Sequence, residues 1–161
     1  MAPSYIVPLY EMRSHMDCGT RRQCVQENQS YRSAALDLHN IYPALSRIAL
    51  DRRNSQFGEL EDTVTEKFPS LRCNYRSSLR VTEPQDNAKG NVARALIYMM
   101  QTYGLNVPLS ISIDVLVKWN DIDPPDDHEK TRNDLIEKIQ GSRNQFIDDP
   151  TMLKELARKK M

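Results

Sequence analysis

The clearest pattern of hydrophobic and polar positions predicts a helix over residues 87–103. Its apolar residues recur at helical spacing and form one face: Val92, Leu96, Met99 and Tyr103. Gly104 directly after the segment is typical of a helix C-terminus. Acidic and proline residues before it are typical of a helix start. We expect this helix to lie in the core, with Met99 and Met100 filling the interior rather than contacting a ligand.

Weaker patterns predict four more helices and a short strand. The helices are expected over residues 31–39, 44–50, 110–119 and 127–140. The strand is expected over residues 4–10, where prolines bound a β-rich run. The polar stretches between these elements are expected to be irregular, except for one or two strands near residue 75. We expect five residues in particular to be buried: Val92, Leu96, Met99, Trp119 and Ile139.

Composition predicts a single mixed-structure domain over residues 1–161, with a polar tail from about residue 151. Basic and acidic residues number 22 each, so net charge gives no sign of a nucleic-acid partner. Only 5 glycines occur, none in a phosphate-loop motif, which argues against a nucleotide-binding loop. No apolar stretch reaches membrane-spanning length, and the first residues lack the pattern of a secretory signal. We therefore expect no membrane partner.

The three cysteines favour a reducing compartment. Cys18, Cys24 and Cys73 are an odd number, so they cannot all pair within one chain. Reduced thiols are the default expectation, while a single Cys18–Cys24 or Cys24–Cys73 bridge stays open. Their spacing is not that of a zinc site, so no structural metal is expected. With no secretory signal, these observations predict a cytoplasmic or otherwise intracellular location.

Many short sequence blocks lie in a fixed order between Ile6 and Pro150. They include Ile6-Val7-Pro8, Asp37-Leu38-His39-Asn40, Asp51-Arg52-Arg53-Asn54, Gly90-Asn91-Val92-Ala93-Arg94 and Gln140-Gly141-Ser142-Arg143-Asn144. In order and spacing they resemble the endonuclease I family of non-specific, magnesium-dependent nucleases. The resemblance implies an α+β, mostly helical fold with a small sheet and a ββα-metal, or His-Me finger, motif at its centre.

The resemblance also implies that the catalytic positions are substituted. In the family, a Glu-His pair stands directly before the Ile/Val-Val-Pro segment, and a metal-binding asparagine stands two residues before the Asp-Arg pair. In this chain those positions hold Ser4, Tyr5 and Ala49. Serine is a poor Mg²⁺ ligand, alanine cannot bind a metal, and tyrosine is a weak base at neutral pH. The sequence therefore predicts no bound metal and no cofactor, with Mg²⁺ expected only if the centre has been rearranged.

Three remaining polar residues near these positions are candidate remnants of a centre. His39 and Asn40 lie in a block that active members share, so His39 reads more readily as a buried structural histidine than as a relocated base. Asp51 retains a carboxylate close to the implied cleft. One carboxylate alone makes a weak magnesium site.

A set of basic and polar residues is a candidate surface for the phosphate backbone, which the family binds with little base readout. Arginines on a helix face are more often simply solvated, and Arg52 can instead hold the fold through an ion pair. Ser142 and Gln145 depart from the family pattern next to the last of these residues. The candidates are Arg21, Arg22, Arg47, Arg52, Arg53, Arg143 and Asn144.

The sequence thus favours an endonuclease I-like protein with a degenerate centre that works by binding. Its partner is expected to be a nucleic acid backbone, DNA more than RNA, or a protein such as an active nuclease. The alternative is an active Mg²⁺-dependent endonuclease that hydrolyses DNA or RNA phosphodiesters through a rearranged centre. A third hypothesis is a purely structural subunit of an assembly.

Overall fold

The computed structural model describes residues 1–160, apart from the side chain of Lys160, and has an α+β, mostly helical fold. The helices are α1 Leu9–His15, α2 Arg21–Glu27, α3 Gln29–Leu36, α4 Ser46–Arg52, α5 Asp86–Tyr103, α6 Ile113–Ile122, α7 Asp127–Gln140, α8 Gln145–Asp148 and α9 Thr151–Lys160. The strands are β1 Ala2–Tyr5, β2 Ile41–Ala44, β3 Gln56–Phe57, β4 Arg76–Ser78 and β5 Val81–Glu83. Among the described residues, no helix is both long and apolar enough to cross a membrane.

Two small sheets frame the region of the expected finger motif. Strands β1 and β2 are antiparallel, with Ser4 opposite Tyr42 and Tyr5 opposite Ile41. Helix α4 follows β2 directly and packs against β1. In the second sheet β5 is central, with β3 parallel and β4 antiparallel to it. Strands β1 and β2 with helix α4 thus form the strand–strand–helix arrangement that the resemblance predicted.

Helix α5 forms the centre of the core, as its periodicity predicted. Val92, Leu96 and Met99 are buried, and Trp119 of α6 is fully buried in the same cluster. Gly90 allows the close approach of α5 and α6, because a Cβ at this position would lie 1.7 Å from the carbonyl oxygen of Asp123. The helix ends at Gly104, whose φ of 65° lies in the left-handed region that glycine adopts readily.

A buried ion pair joins α5 to α7. Arg94 and Glu129 are almost fully buried, and two guanidinium nitrogens donate to the Glu129 carboxylate at 2.9 and 2.5 Å. The third nitrogen of Arg94 donates to the Asn120 amide oxygen at 3.0 Å and to the Asp123 carbonyl at 2.8 Å. The hydrogen bonds that the Arg94 guanidinium loses with water on burial are therefore replaced by hydrogen bonds within the protein.

Several boundaries differ from the sequence predictions. The first strand ends at Tyr5, and α1 begins at Leu9. The helix expected from residue 44 begins at Ser46, because Pro43 lies in β2. The helix expected over 31–39 ends at Leu36 and is followed by a separate 3-10 turn. Ser112 rather than Ser110 caps α6, since the Ser110 hydroxyl donates to the Phe57 carbonyl.

Two predictions about burial and order are wrong. Ile139 is 72% exposed, because only Ile136 of the apolar positions on α7 faces the interior. The tail expected to be polar and frayed forms α9 as far as Lys160, with Leu153 fully buried. Met161 lies outside the described residues.

The segment over residues 11–30, expected to be irregular, contains three helices or parts of helices. Thr20 begins α2 with a capping box in which its hydroxyl and the Gln23 side chain satisfy each other's backbone amides. The default expectation of reduced thiols is also wrong, because Cys18 and Cys24 form a disulfide across the turn between α1 and α2. Cys73 carries a free thiol and is half-buried.

Candidate functional site

The structure brings the three substituted positions together. Ser4 and Tyr5 lie on β1, and Ala49 lies on α4, which packs against that strand. Arg52 on the same helix donates to the Ser4 hydroxyl at 3.0 Å, to the Tyr5 carbonyl at 2.5 Å and to the Ile6 carbonyl at 2.8 Å. These bonds fix the strand against the helix. Arg52 thus joins the elements that carry the three positions.

The residues present at this centre do not fit a magnesium ion. Mg²⁺ favours carboxylate oxygens in a near-octahedral shell, whereas Ser4, Tyr5 and Ala49 supply one hydroxyl, one phenol and a methyl group. Nowhere in residues 1–160 do three or more histidine, cysteine or acidic side chains form a group suited to a metal. The three positions therefore offer neither a charged ligand nor an imidazole base.

The Asp51 carboxylate is bound by other side chains of the protein and is not left free in a cleft. Lys67 contacts one carboxylate oxygen at 2.5 Å, while Tyr75 and Ser77 donate to the other at 3.0 and 2.9 Å. Partial burial raises the pKa of this carboxyl, but the hydrogen bonds from Lys67, Ser77 and Tyr75 outweigh it and hold the pKa below its ordinary value. The carboxylate stabilises the packing of the β4 region against α4.

His39 is a buried structural residue by its surroundings. It is 1% exposed, its ring lies 4.5 Å from that of Tyr98, and Nε2 lies 3.2 Å from the Ser142 carbonyl. Burial disfavours the charged imidazolium and lowers the pKa of His39, although the Ser142 carbonyl opposes that shift. Its Nδ1 is buried without a hydrogen-bond partner among the described atoms.

Asn40 holds the backbone that follows β1. Its amide oxygen accepts from the Val7 N–H at 2.7 Å, and its amide nitrogen donates to the Val7 carbonyl at 3.1 Å. The Asn40 carbonyl also accepts from the Ile6 N–H at 2.8 Å. The side chain thus pairs with Val7 as a neighbouring strand would. This role leaves no free group for chemistry.

Four of the candidate phosphate-binding arginines lie on the surface. Arg21 and Arg22 are exposed on α2, and Arg47 and Arg53 are exposed on α4 or its C-terminal end. The Arg47 guanidinium lies 4.5 Å from the centre of the Phe68 ring. Among the ion pairs of the described side chains, none includes these four arginines. Their charges are therefore available to a partner.

The structure places the other three candidates elsewhere. Arg52 is 3% exposed and holds β1 to α4. Arg143 is bound by three carboxylates, those of Asp134, Glu137 and Asp148, which raise the pKa of its guanidinium further. Asn144 is 1% exposed; its side chain caps α8 and donates to the Arg94 carbonyl. These positions do not present free groups to a phosphate, contrary to the sequence prediction.

One basic residue of this region was missed. Arg80 is exposed in the two-residue turn between β4 and β5, and with Arg53 it lines a cleft of about 410 Å³. The other residues of the cleft are Tyr10, Asp51, Arg52, Asn54, Ser55 and Leu79. The sequence around Arg80 carries no periodicity, so only the pairing of β4 with β5 brings it beside α4.

The two antiparallel strands β1 and β2 and helix α4 have the strand–strand–helix arrangement of the finger motif. Residues 11–151 match the family described as Endonuclease I, and the chain belongs to this family. It is 32% identical to Endonuclease-1 of Buchnera aphidicola subsp. Acyrthosiphon pisum (strain APS) over 149 residues, which is 89% of this chain and 57% of that protein.

Two further relatives carry different names. The chain is 29% identical to an extracellular deoxyribonuclease of Aeromonas hydrophila over 147 residues, covering 89% of this chain and 63% of the relative. It is 32% identical to an extracellular ribonuclease of Bacillus subtilis (strain 168) over 161 residues, covering 89% and 51%. The chain thus spans between about half and two thirds of the length of these relatives.

These relatives overturn the prediction of an intracellular location. They include proteins named extracellular deoxyribonuclease, periplasmic deoxyribonuclease and extracellular ribonuclease. The prediction was wrong because it rested on an odd number of cysteines and on the pattern of the first residues. The Cys18–Cys24 disulfide agrees with an oxidising compartment.

Proposed function

We propose that this chain binds the phosphate backbone of nucleic acids through a nuclease fold whose metal centre has been lost. The observation that carries the proposal is the set of side chains on α4. Helix α4 carries Ala49 at the position where the resemblance implies a metal ligand, while Arg47 and Arg53 have exposed charges that no ion pair among the described side chains includes. Exposed cations that suit phosphate binding are thus present on this helix, whereas a metal ligand at position 49 is not.

Phosphate contacts need little more than well-placed cations. A guanidinium can pair with two phosphate oxygens at once, and its contribution requires no metal. Arg53 and Arg80 line the same cleft, which also exposes the phenol of Tyr10 for contact with a sugar or base. The net charge of zero does not oppose this function, because phosphate contacts depend on where the individual cations lie on the surface.

The names of the relatives support testing both nucleic acids. Some are named deoxyribonuclease and others ribonuclease. We propose DNA as the preferred partner and a site of action outside the cytoplasm, which the disulfide and the names of the relatives support.

The test is a salt series. Fluorescence anisotropy would measure the affinity of the chain for a labelled duplex DNA and for the same sequence as RNA at four salt concentrations. Log affinity should fall linearly with log salt. Arg53→Ala and Arg80→Ala should each reduce the slope by about one. Arg158→Ala is the matched control, since Arg158 is exposed on α9, which packs against α6 rather than α4.

Plasmid nicking with and without EDTA separates binding from an active, rearranged centre. We expect no EDTA-sensitive nicking by the unmodified chain. Nicking that EDTA abolishes would support the alternative of an active enzyme. Affinity that does not change with salt would contradict the backbone-binding proposal and leave the structural-subunit hypothesis.

A further inference from the structure

A cavity of about 430 Å³ opens between β1, α4 and the start of α5. Its walls are mainly apolar side chains, including Ile6, Leu45, Ile48, Phe57, Ala88 and Val92. This volume lies within the range of small-molecule sites, about 300–1,000 Å³. The cavity can therefore hold a small ligand with an apolar body.

Polar side chains also line this cavity, namely Ser4, Arg52, Tyr42, Tyr75, Gln85 and Asn91. Ser4 and Arg52 both line it, and the Ser4 oxygen accepts a hydrogen bond from Arg52 at 3.0 Å. Because the Ser4 oxygen already accepts this hydrogen bond from Arg52, the Ser4 hydroxyl proton is available for donation to another group. Among the described residues, none accepts that proton. A hydroxyl that accepts from a cation becomes a stronger donor, since hydrogen bonds in a chain polarise one another.

Arg52 contributes a buried positive charge that no carboxylate neutralises directly. Its side chain is almost fully buried, and none of the ion pairs among the described side chains includes it. Its Nε is buried without a hydrogen-bond partner in residues 1–160, and its guanidinium lies 4.0 Å from the centre of the Phe57 ring. Burial lowers the pKa of Arg52 to about 10, so the group stays charged at neutral pH. A buried, uncompensated cation favours an anion nearby.

We propose that this cavity binds a small carboxylate with an apolar body, such as a medium-chain fatty acid. The carboxylate accepts from the Ser4 hydroxyl and lies in the field of Arg52, while the apolar body packs against Ile48 and Val92. A fatty acid fits better than inorganic phosphate, because its apolar body can pack against the mainly apolar wall and phosphate has no apolar part. Arg52 lines both this cavity and the cleft of Arg53 and Arg80, but the proposed backbone binding uses the exposed arginines and not Ser4 or the apolar wall.

The test compares three probes by isothermal titration calorimetry: sodium octanoate, 1-octanol and inorganic phosphate. Octanoate should bind with one-to-one stoichiometry, octanol about ten-fold or more weakly, and phosphate not measurably. Ser4→Ala removes the donor and should weaken octanoate about ten-fold, because a hydrogen bond to a charged group is lost. Ser70→Ala, at an exposed serine that does not line the cavity, is the matched control.

A second variant tests the cavity itself. Ala88→Leu adds three carbons to its wall and should abolish octanoate binding while leaving the circular dichroism spectrum unchanged. Equal affinity for octanol and octanoate, or unchanged octanoate affinity in Ser4→Ala, would overturn the role of the polar pair. Octanoate binding that survives Ala88→Leu would place the ligand elsewhere and overturn the proposal.

Discussion

Restoring the family's residues should restore some metal-dependent cleavage. The change is the triple substitution Ser4→Glu, Tyr5→His and Ala49→Asn. Ala49 lies three residues before Arg52 on α4, so its backbone is about 4.5 Å nearer the N-terminus of the helix along the helix axis. Arg52 already contacts Ser4. A carboxylate at position 4 and an amide at position 49 would therefore lie within a side-chain length of each other.

The size of the effect follows from the same geometry. A restored imidazole next to the strand contributes about 10²–10⁴-fold as a general base. The restored glutamate also faces the Arg52 guanidinium, and two unit charges about 4 Å apart interact by about 4 kcal/mol at an effective dielectric constant near 20. That attraction orients the glutamate but competes with a cation. We therefore expect weak Mg²⁺ binding and slow nicking, clearly above the unmodified chain.

Two assays check the prediction. Calorimetry with Mg²⁺ and Ca²⁺ should show no site tighter than millimolar, about −4 kcal/mol, in the unmodified chain. Plasmid nicking should be Mg²⁺-dependent in the triple variant and nearly absent in Tyr5→His alone, which has the base without the ligands. If the unmodified chain nicks as well as the triple variant, an active centre exists at other residues. If a folded triple variant binds no Mg²⁺, α4 does not present position 49 as the family's finger requires.

Three further predictions concern stability, each measured by urea unfolding. Arg94→Met should lower the free energy of unfolding by about 3–5 kcal/mol, because it leaves the Glu129 carboxylate buried and unpaired. The double change Arg94→Met with Glu129→Leu should lower it less. Equal losses in the single and double variants would contradict the argument. Reducing the Cys18–Cys24 disulfide, whose partners are six residues apart, should cost about 2 kcal/mol, and Cys18→Ser should abolish that sensitivity to reductant. Burial lowers the pKa of His39 in the folded chain below the ordinary 6.5, so the unfolded chain binds more protons and stability should fall as pH drops below about 6.5; a His39→Gln variant that shows the same fall would disprove the assignment.

The sequence predicted best where local and tertiary signals agree. Helix α5 and the start and end of α7 were predicted correctly, because apolar spacing, caps and terminal glycines all indicate the same boundaries. Residues 11–30 were missed since their helices bury few apolar residues, chiefly Met12 and Cys24. Ile139 was misassigned because periodicity shows which residues share a face but not how much of that face a neighbour covers.

The candidate site, like the fold, could be predicted from the sequence only in part. The sequence blocks singled out Ser4, Tyr5 and Ala49, which lie on two elements that pack together. They raised a fold-holding role for Arg52, but they could not decide which of the arginines face solvent. Arg53 and Arg52 are adjacent in sequence, yet one is exposed and the other is 3% exposed. That difference depends on which carbonyls of β1 come within reach, and only the folded chain determines it.

The amide of Asn40 has a consequence for how such a domain changes over time. It satisfies both backbone groups of Val7, while Arg52 holds the carbonyls of Tyr5 and Ile6. The shape of the strand is therefore maintained by two side chains that perform no chemistry. Substitutions at Tyr5 or Ala49 that preserve these hydrogen bonds would leave this frame intact, so architecture can be inherited separately from the side chains at these positions. A domain built in this way can lose its reaction in a few substitutions and remain a folded object on which a new ligand preference is selected.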